Sequence, residues 1–321
     1  MDTIHSLFNE FLSQKVISED RETRYRALED SLEKFYKTPK VIQVRSVKLK
    51  VRRIFILKDI DHHTLDEFWS YLMDTHNYSM NTMNSIFNRV RALFNWCVAV
   101  GKLKVSPMKG YQVVPELYGT PVILTLDELD TLWETDLSSK PSLETQRDIF
   151  IFQCCIGCRV SDLVNLKRSS IISGAIEYIP RKTKTGNPVT VRVPLNDRAL
   201  EIISKYADPA HRAKDYWDRP LFPYISRQKY NTTIKRVFKY CGLNRMVTVM
   251  EPKSRIEVKR PLYEVASSHL ARRTFIGNIY NKVQDPSLIS SMTGHVDGSK
   301  AFCRYRVVDD RIKRRLVKIL Q

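Results

Sequence analysis

The carboxyl-terminal part of the chain concentrates side chains that bind anions and transfer protons. His269 and Arg272 are one helical turn apart, so both project from one face of a predicted helix. His295 follows Gly294, and Tyr305 comes ten residues later. Around one phosphate, the arginine would bind oxygens, the histidines would move protons and the phenol would be a nucleophile. Taken alone, Tyr305 is one of fifteen tyrosines and would be expected in a core.

Two further cations lie upstream of this stretch. Arg159 sits in a sharp turn between apolar helices, where a charge is costly unless it is paired or functional. Asp162, one turn later, could hold Arg159 for function, or the two could form only an ion pair at a helix end. Lys184 lies at the tip of a predicted hairpin, as a mobile ammonium that could protonate a leaving oxygen, and Lys182 on the same side is the alternative.

Cleavage of a phosphodiester needs cations on the non-bridging oxygens, a nucleophile, and an acid for the departing oxygen. Clustered carboxylates that would hold Mg²⁺ are missing from the pattern, because Asp285, Asp297 and Asp309 are spread out. Cys155 and Cys158 form a single C-x-x-C pair without the second ligand pair of a structural zinc site. We therefore expect arginines instead of a metal, and no cofactor.

The elements that must position these residues are mainly helices. Apolar periodicity predicts helices at 1–36, 62–78 and 82–101, and later at about 124–135, 143–155 and 160–166. Ser79 or Asn81 can cap the helix at 82–101, and Thr125 with Glu128 forms a capping box for the helix that ends at about Thr135. The period changes at 170–195, where strands at 176–179 and 189–195 with a turn near Gly186-Asn187 predict a β-hairpin. Residues 245–262 are predicted to be irregular. The Pro- and Gly-containing stretch at 102–121 predicts a linker, so we expect two domains, 1–115 and 116–321. The predicted fold class is mainly α with a small antiparallel β-sheet.

Basic residues are concentrated in the first domain between Lys37 and Lys58, which holds eight cations and no acid. Cations alternate with apolar residues there at strand period, so one face could pack while the other meets phosphates. The alternative is a solvated basic strand. The residues predicted to contact DNA are Lys48, Lys50, Arg52, Arg53, Arg89, Arg91 and Arg273.

The overall composition points to a polyanionic partner. The chain has 321 residues, a formal net charge of +18 and 43% hydrophobic residues, and a sequence pI of about 9.6. Such an excess of positive charge favours nucleic acid as the partner, and an anionic membrane surface as the second choice. The alternative is a basic, soluble protein without a polyanionic partner. No apolar stretch has the length of a membrane span, and the first residues lack a signal-peptide pattern. These features predict a cytoplasmic protein without membrane association.

In order, the motifs are Gly157-Cys-Arg159-Val-Ser-Asp162-Leu, Lys184-Thr-Gly, His269-x-x-Arg272-Arg-Thr-Phe, Gly294-His295 and Tyr305. This set resembles the tyrosine recombinase (phage integrase) family, whose pattern is Arg…Lys…His-x-x-Arg…Gly-His…Tyr. The resemblance covers about 121–310, and the helix within 82–107 resembles the family's core-binding domain. Two departures are visible: Leu-Ala stands where Asp-Leu is usual between His269 and Arg272, and the spacing from His295 to Tyr305 is one residue longer than in many members.

The resemblance implies a site-specific recombinase or integrase with a core-binding domain at 1–115 and a catalytic domain at 116–321. Tyr305 would attack a DNA phosphate to give a 3′-phosphotyrosine, and Lys184 would protonate the 5′-oxygen. The other implied catalytic residues are Arg159, Arg272, His269 and His295. No metal or ATP would be required, because the ester keeps the bond energy. The implied partner is double-stranded DNA, bound by a homotetramer on two sites, with a monomer in free solution.

Two other functions use some of the same features. A type IB topoisomerase would relax DNA as a monomer with nearly the same residues. A non-catalytic module would only bind DNA. The helical first domain and an amphipathic tail with Ile312, Leu316 and Ile319 on one face favour the recombinase, because such a tail could dock on a neighbouring subunit. The alternative for the tail is packing on its own domain.

Overall fold

The computed structural model describes residues 3–44, 47–183, 188–207, 213–280, 282–283, 285, 287–295, 302, 304 and 317. Two compact units are present: Met1–Tyr118 with Glu251–Ile256, and Gly119–Met250 with Glu257–Gln321. Helices predominate and the sheets are small and antiparallel, which confirms the predicted fold class. The domain limits at 1–115 and 116–321 stay predictions. No described helix has the length and apolar character needed to span a bilayer.

The first unit is a helical cluster with one hairpin. Its elements are α1 (Ile4–Ser13), α2 (Glu19–Lys37), β1 (Lys40–Val44), β2 (Val47–Val51), α3 (His62–His76) and α4 (Met80–Ala99). A single helix over 1–36 is therefore wrong: α1 ends at Ser13 and Ser18 begins α2. Three acids in the first turn of α2 stabilise this new start, because they face the positive end of the helix dipole.

Aromatic residues on the four helices form the core of the first unit. Phe8, Phe11, Phe35, Phe68 and Phe87 are all almost fully buried. Asp61 caps α3 and Ser79 caps α4 through side-chain oxygens that accept backbone N–H groups, as the sequence predicted for Ser79. The helices are therefore set by ordinary caps and an apolar face.

The basic hairpin β1–β2 confirms the predicted strand at Lys48 and Lys50. Its register pairs Val41 with Lys50 and Gln43 with Lys48, so these four side chains share one face. The expectation that the opposite, apolar face packs is wrong, because Leu49 and Val51 are 44% and 42% exposed. Within the residues that the structure describes, the hairpin is a two-stranded sheet by itself, so both of its faces are open to water.

The second unit carries the motifs. Its helices are α5 (Leu126–Glu134), α6 (Pro141–Ile156), α7 (Val160–Leu163), α8 (Asp197–Lys205), α9 (Arg227–Tyr240), α10 (Leu262–Val265), α11 (Ser268–Ile279) and α12 (Ser287–Thr293). Its strands are β3 (Ile171–Ile172), β4 (Ala175–Tyr178), β5 (Val191–Pro194), β6 (Met246–Met250) and β7 (Glu257–Pro261). The capping box predicted from Thr125 and Glu128 begins α5.

Two small sheets flank the helices of this unit. The predicted hairpin is the β4–β5 pair, and β3 extends it to three strands. Its turn, with Gly186 and Asn187, lies outside the described residues. The prediction that 245–262 is irregular is wrong, because β6 and β7 pair over five positions. The consecutive β-branched residues Val247, Thr248 and Val249 favour a strand. The second strand is rich in charged residues and has no such pattern, so the sequence did not predict it.

Helix α6 is the centre of the second unit and packs antiparallel to α9. Near the carboxyl end of α6, Tyr230 donates a hydrogen bond to Gln153 at 3.2 Å. Near its amino end, the Lys140 ammonium lies 5.1 Å from the centre of the Tyr240 ring. Because α6 ends at Ile156, this packing fixes where the turn at Gly157–Arg159 begins.

Candidate active site

Arg272 is the most deeply buried charged group of the candidate site, with 1% of the residue exposed. Its Nη1 donates to the carbonyl oxygen of Gly157 at 2.9 Å, and its Nη2 donates to that of Thr293 at 2.7 Å. These bonds tie α11 to the end of α6 and to the end of α12. Carbonyl oxygens orient the guanidinium without neutralising it, so its charge remains available to an anion.

Gly157 is required for the turn that presents this carbonyl. Its φ of +64° lies in the left-handed region, where it ends α6. A Cβ at this position would lie 2.4 Å from Cδ1 of Phe275. The glycine therefore allows both the turn and the close approach of α11.

Arg159 follows at the amino terminus of α7 and is half-buried. Its Nη1 is buried and has no hydrogen-bond partner among the described residues. The predicted pairing with Asp162 is wrong: Oδ1 of Asp162 accepts the backbone N–H of Arg181 at 2.9 Å, and Oδ2 has no hydrogen-bond partner in the described part of the chain. A buried guanidinium nitrogen without an acceptor is unusual and fits a site that receives an anion.

His295 is held by Thr293 and Arg272. The Thr293 hydroxyl donates to the carbonyl of Ile289 at 2.7 Å and lies 2.9 Å from Nδ1 of His295. Because its one proton is used, the hydroxyl accepts from Nδ1–H, and this assigns the tautomer. Nη2 of Arg272 lies 3.1 Å from Nδ1 and 3.2 Å from Nε2 of His295. With the proton of Nδ1 donated to Thr293, the lone pair of Nε2 is the acceptor for Arg272.

Both histidines of the site are neutral near pH 7. Burial lowers the pKa of His295 to about 3, with further effects from Arg272, Arg159, His269 and Lys182. Burial also lowers the pKa of His269 to about 4, although one side of the residue stays open to solvent, and nearby arginines add to the shift. Arg159 and Arg272 lower the pKa of both histidines through their positive charges. The structure therefore brings four of the six predicted catalytic residues together.

The start of α11 depends on a residue that sequence reasoning missed. Asn231 on α9 accepts the backbone N–H of Ser268 through Oδ1 at 2.8 Å, while Ser267 makes no side-chain cap. This bond fixes the helix end that carries His269. The two residues are 37 positions apart, and no local pattern connects them. Thr293 was also missed, because it precedes Gly294-His295 as an ordinary helix residue.

Lys184 and Tyr305 lie outside the described residues. The alternative Lys182 is exposed and contributes to lowering the pKa of His295. Close to Tyr305 in sequence, Phe302 is buried with its ring centre 5.4 Å from that of His295. Arg304 donates to the carbonyl of Gly119 at 2.5 Å. Two described residues just before the predicted nucleophile therefore contact other parts of the second unit.

The residues predicted to contact DNA fall into two groups. Lys48, Lys50 and Arg52 are exposed in and after β2. The others are at least partly buried and hold the protein together, which leaves them less free to reach phosphates. Arg53 packs 4.4 Å from the Phe35 ring centre and donates to Thr38.

Helix α4 carries two more members of the second group. Arg89 donates to Ser85 at 3.1 Å, and burial lowers its pKa. Arg91 donates to Asn88 and to the carbonyl of Tyr111. Arg273 is half-buried beside His269 and contributes to lowering the pKa of that histidine. Their roles in DNA binding stay predictions.

Among the described residues, the one group of side chains with metal-ligand spacing is His5, Glu29 and Glu33, in α1 and α2 of the first unit. His5 and Arg26 both bond to Glu29, at 2.7 and 2.8 Å, so ion pairing accounts for this group. In the second unit, Cys155 and Cys158 are free thiols whose pKa values are raised by burial. The described part of the arginine and histidine cluster thus offers cations and neutral imidazoles, the groups that bind a phosphate.

Comparison with known families covers most of the chain. The model described as "Phage integrase family" matches residues 123–311, and the model described as "Phage integrase SAM-like domain" matches residues 3–113. No curated protein matches the chain.

Solved structures share the fold at low identity. A lambda integrase dimer bound to a COC′ core site is 16% identical with a TM-score of 0.66, over 96% of each chain. A Tn1549 transposon integrase in complex with circular intermediate DNA is 15% identical with a TM-score of 0.66, over 99% of each chain. A lambda integrase tetramer bound to a Holliday junction is 16% identical with a TM-score of 0.62, over 97% of this chain and 78% of that one.

Proposed function

Because the chain belongs to the phage integrase family, it is a tyrosine recombinase that cleaves and rejoins DNA, and we propose that it recombines specific sites through a 3′-phosphotyrosine intermediate. The observation that carries this mechanism is the buried, carbonyl-oriented Arg272, which lies close to the same two histidines as Arg159. Nη1 of Arg159 has no hydrogen-bond partner among the described residues. Two such guanidinium groups fit the two non-bridging oxygens of one phosphodiester.

In the proposed cleavage step, the phenol oxygen of Tyr305 attacks phosphorus and the bond from phosphorus to the 5′-oxygen breaks. The departing 5′-oxygen takes a proton from Lys184, for which Lys182 is the alternative donor. Arg159 and Arg272 stabilise the charge that develops on the non-bridging oxygens. Attack of a 5′-hydroxyl from a second duplex reverses the step and joins the new strand.

The two histidines have different proposed tasks. His295 accepts a hydrogen bond from Arg272 and holds that guanidinium in place. His269 has an edge open to solvent and is neutral near pH 7, so it is available to take the phenol proton. Binding of an anionic phosphate raises the pKa of His269 from its low value toward the ordinary range, which makes it a better base.

The proposed reaction requires neither metal nor ATP. The arginine pair supplies the positive charge that Mg²⁺ supplies in many phosphoryl-transfer sites. The phosphotyrosine ester keeps the energy of the broken bond, so rejoining needs no external source. Arg159 and Arg272 are therefore the residues on which metal independence depends.

The proposed partner is double-stranded DNA, bound by four copies of the chain on two sites. A net charge of +18 supports a polyanionic partner. The lambda integrase of similar fold was crystallised as a tetramer on a Holliday junction, which is the four-way junction expected from exchange between two duplexes. Free in solution, we expect a monomer.

The test is capture of the covalent intermediate on nicked duplexes made from the DNA that flanks the gene for this chain. Because of a nick near the cleaved bond, the strand that carries the new 5′-hydroxyl is short and diffuses away. Rejoining is then impossible and the covalent adduct accumulates. We expect a denaturation-resistant adduct that forms with excess EDTA and disappears in Tyr305→Phe. The matched control is Tyr280→Phe, because Tyr280 is buried in the core beside Phe302.

An adduct that persists in Tyr305→Phe would refute the assignment of the nucleophile. Relaxation of any supercoiled duplex without strand exchange would instead identify a type IB topoisomerase. Binding without any adduct in the unmodified chain would leave only a DNA-binding module.

A further inference from the structure

The second unit has a basic groove at the amino end of α6. Two depressions of about 690 and 390 Å³ adjoin there and share Arg236 and Lys239 of α9. Lys140 lines the first depression, and Lys235 and Arg260 line the second. We call these five exposed cations, together with the depressions between them, the basic groove.

The basic groove lies far from Arg159, His269, Arg272 and His295, which we call the catalytic cluster. Helix α6 has 16 residues and is therefore about 24 Å long. Lys140 precedes its first residue, whereas Gly157 and Arg159 follow its last. Helix α9 runs antiparallel, so Arg236 and Lys239 lie toward the groove while Asn231 lies toward α11. One phosphate cannot occupy both places.

Four of the five groove cations have no carboxylate partner within the described part of the chain, unlike many other surface cations. In the same unit, Arg198 pairs with Asp130 at 2.9 Å and Lys205 pairs with Asp148 at 2.7 Å. Among the described residues, the one carboxylate that pairs with a groove cation is Glu264, 3.7 Å from Arg260. The positive charge of the groove is thus left for a ligand from outside the chain.

The arrangement of the groove suits a row of phosphates. Arg236 and Lys239 are three residues apart on one helix face, which separates them by about 5–6 Å, comparable to the distance between successive backbone phosphates. The Lys140 ammonium rests on the Tyr240 ring at 5.1 Å and the Lys239 ammonium on the Tyr263 ring at 5.7 Å. These contacts keep both cations at the rim of the groove.

We propose that the basic groove binds the backbone of a second stretch of duplex DNA, outside the segment held at the catalytic cluster. The inference rests on the proposed function only in taking DNA as the polyanion. A row of cations at helical spacing, with tyrosines as the exposed apolar surface, fits regularly spaced phosphates better than an acidic protein segment, which also needs apolar anchors.

The test measures equilibrium binding of the full chain to two duplexes as a function of salt. One duplex is just long enough to cover the catalytic face, and the other is roughly three times longer, so that it also reaches the groove. The variants are Lys239→Gln and the double variant Arg236→Gln/Lys239→Gln. Lys214→Gln is the matched control, because Lys214 is an exposed lysine of the same unit outside the groove.

On the longer duplex, we expect Lys239→Gln to reduce the salt dependence of log K by about 1, and the double variant to reduce it by about 2. The double variant should also bind the longer duplex about tenfold more weakly. The shorter duplex and the control should show no change.

An unchanged affinity and salt slope on the longer duplex would overturn the proposal. Binding of polyglutamate that the double variant loses, with DNA binding unchanged, would also overturn it and would identify an acidic protein segment as the ligand. Covalent trapping on the shorter duplex keeps the two proposals separate. A failure of the Tyr305 adduct in the unmodified chain would refute the proposed function, while the binding data would still decide the groove.

Discussion

The two ends of the α6–α9 helix pair both carry cations, but they hold them in opposite ways. At the carboxyl end of α6, Arg272 is 1% exposed and bonded to two carbonyl oxygens. At the amino end, Arg236 and Lys239 are exposed and rest beside tyrosines. The first arrangement fixes a charge in space, whereas the second leaves charges exposed to water.

This difference separates transition-state stabilisation from binding. A buried guanidinium needs no rearrangement when charge develops on a phosphate, and water does not screen it. Its desolvation is costly and is offset by the hydrogen bonds that it donates to fixed carbonyl oxygens. Exposed cations stay hydrated, so their desolvation costs little free energy. Salt screens their attraction to phosphates, so they suit reversible binding of a polyanion.

The strongest test of this comparison is Arg272→Lys, which keeps the charge but removes the planar fork. One ammonium cannot donate to Gly157, Thr293 and His295 in the geometry of the guanidinium. We expect the rate of covalent adduct formation at saturating DNA to fall about 10²–10³-fold. The same substitution at Arg198, on the surface beside Asp130, should change that rate less than about twofold.

A rate for Arg272→Lys within a few fold of the unmodified chain would show that charge alone is sufficient. The contrast between a buried, fixed guanidinium and an exposed cation would then not explain catalysis. Circular dichroism of the variant would establish that its fold is retained, so that a slow rate reports on the site.

Gly157→Ala should have a smaller effect, measured as stability. The left-handed φ costs about 1–2 kcal/mol for alanine. Contact of its Cβ with Phe275 adds about 1–3 kcal/mol of overpacking. The control Gly174→Ala has a φ of +71° with no neighbour within 4 Å, so it should cost only the backbone strain.

Urea unfolding of both variants measures this difference. Equal losses in the two variants would mean that Phe275 moves aside without cost, and that the carbonyl of Gly157 is less firmly placed than the structure indicates.

A further expected effect, confined to low pH, is a loss of stability in acid. The pKa values of His295 and His269 fall from 6.5 to about 3 and about 4 on folding. Between these values and 6.5 the unfolded chain binds protons that the folded chain does not, so the free energy of unfolding decreases as the pH falls through that window. Urea midpoints at several pH values should show a weaker pH dependence in His295→Gln than in the unmodified chain.

The exposed His76 provides the control, because His76→Gln also removes one histidine from the chain. An identical pH dependence in His295→Gln and His76→Gln would show that the charged form of His295 is tolerated in the folded site.

Much of the fold could be predicted from local signals. Thr125 with Glu128 predicted the start of α5, and the apolar period predicted α4 and α6 to within a few residues. Local signals failed where tertiary structure decided. The pairing of β6 with β7 joins two short strands that carry different patterns, and the break before Ser18 depends on how α1 and α2 pack.

The site shows the same division. His269, Arg272 and His295 lie near Arg159, as the resemblance of the ordered motifs to the family implied. Their catalytic roles stay predictions. The partner of Asp162 was predicted incorrectly, because the amide of Arg181 comes from a turn 19 residues away. The cap from Asn231 and the hydroxyl of Thr293 were missed, since their contacts arise only when separate segments are packed together.

The hydrogen bonds of Arg272 bear on the stage of folding at which the chain could cleave DNA. Its two carbonyl acceptors are 115 and 21 positions away in the chain, on segments that meet only in the finished second unit. A chain still emerging from the ribosome, or one locally unfolded, lacks the correctly aimed guanidinium. If Arg272 acts as proposed, we therefore expect strand cleavage to require a completely folded second unit, whereas the positive charge of the chain does not depend on folding.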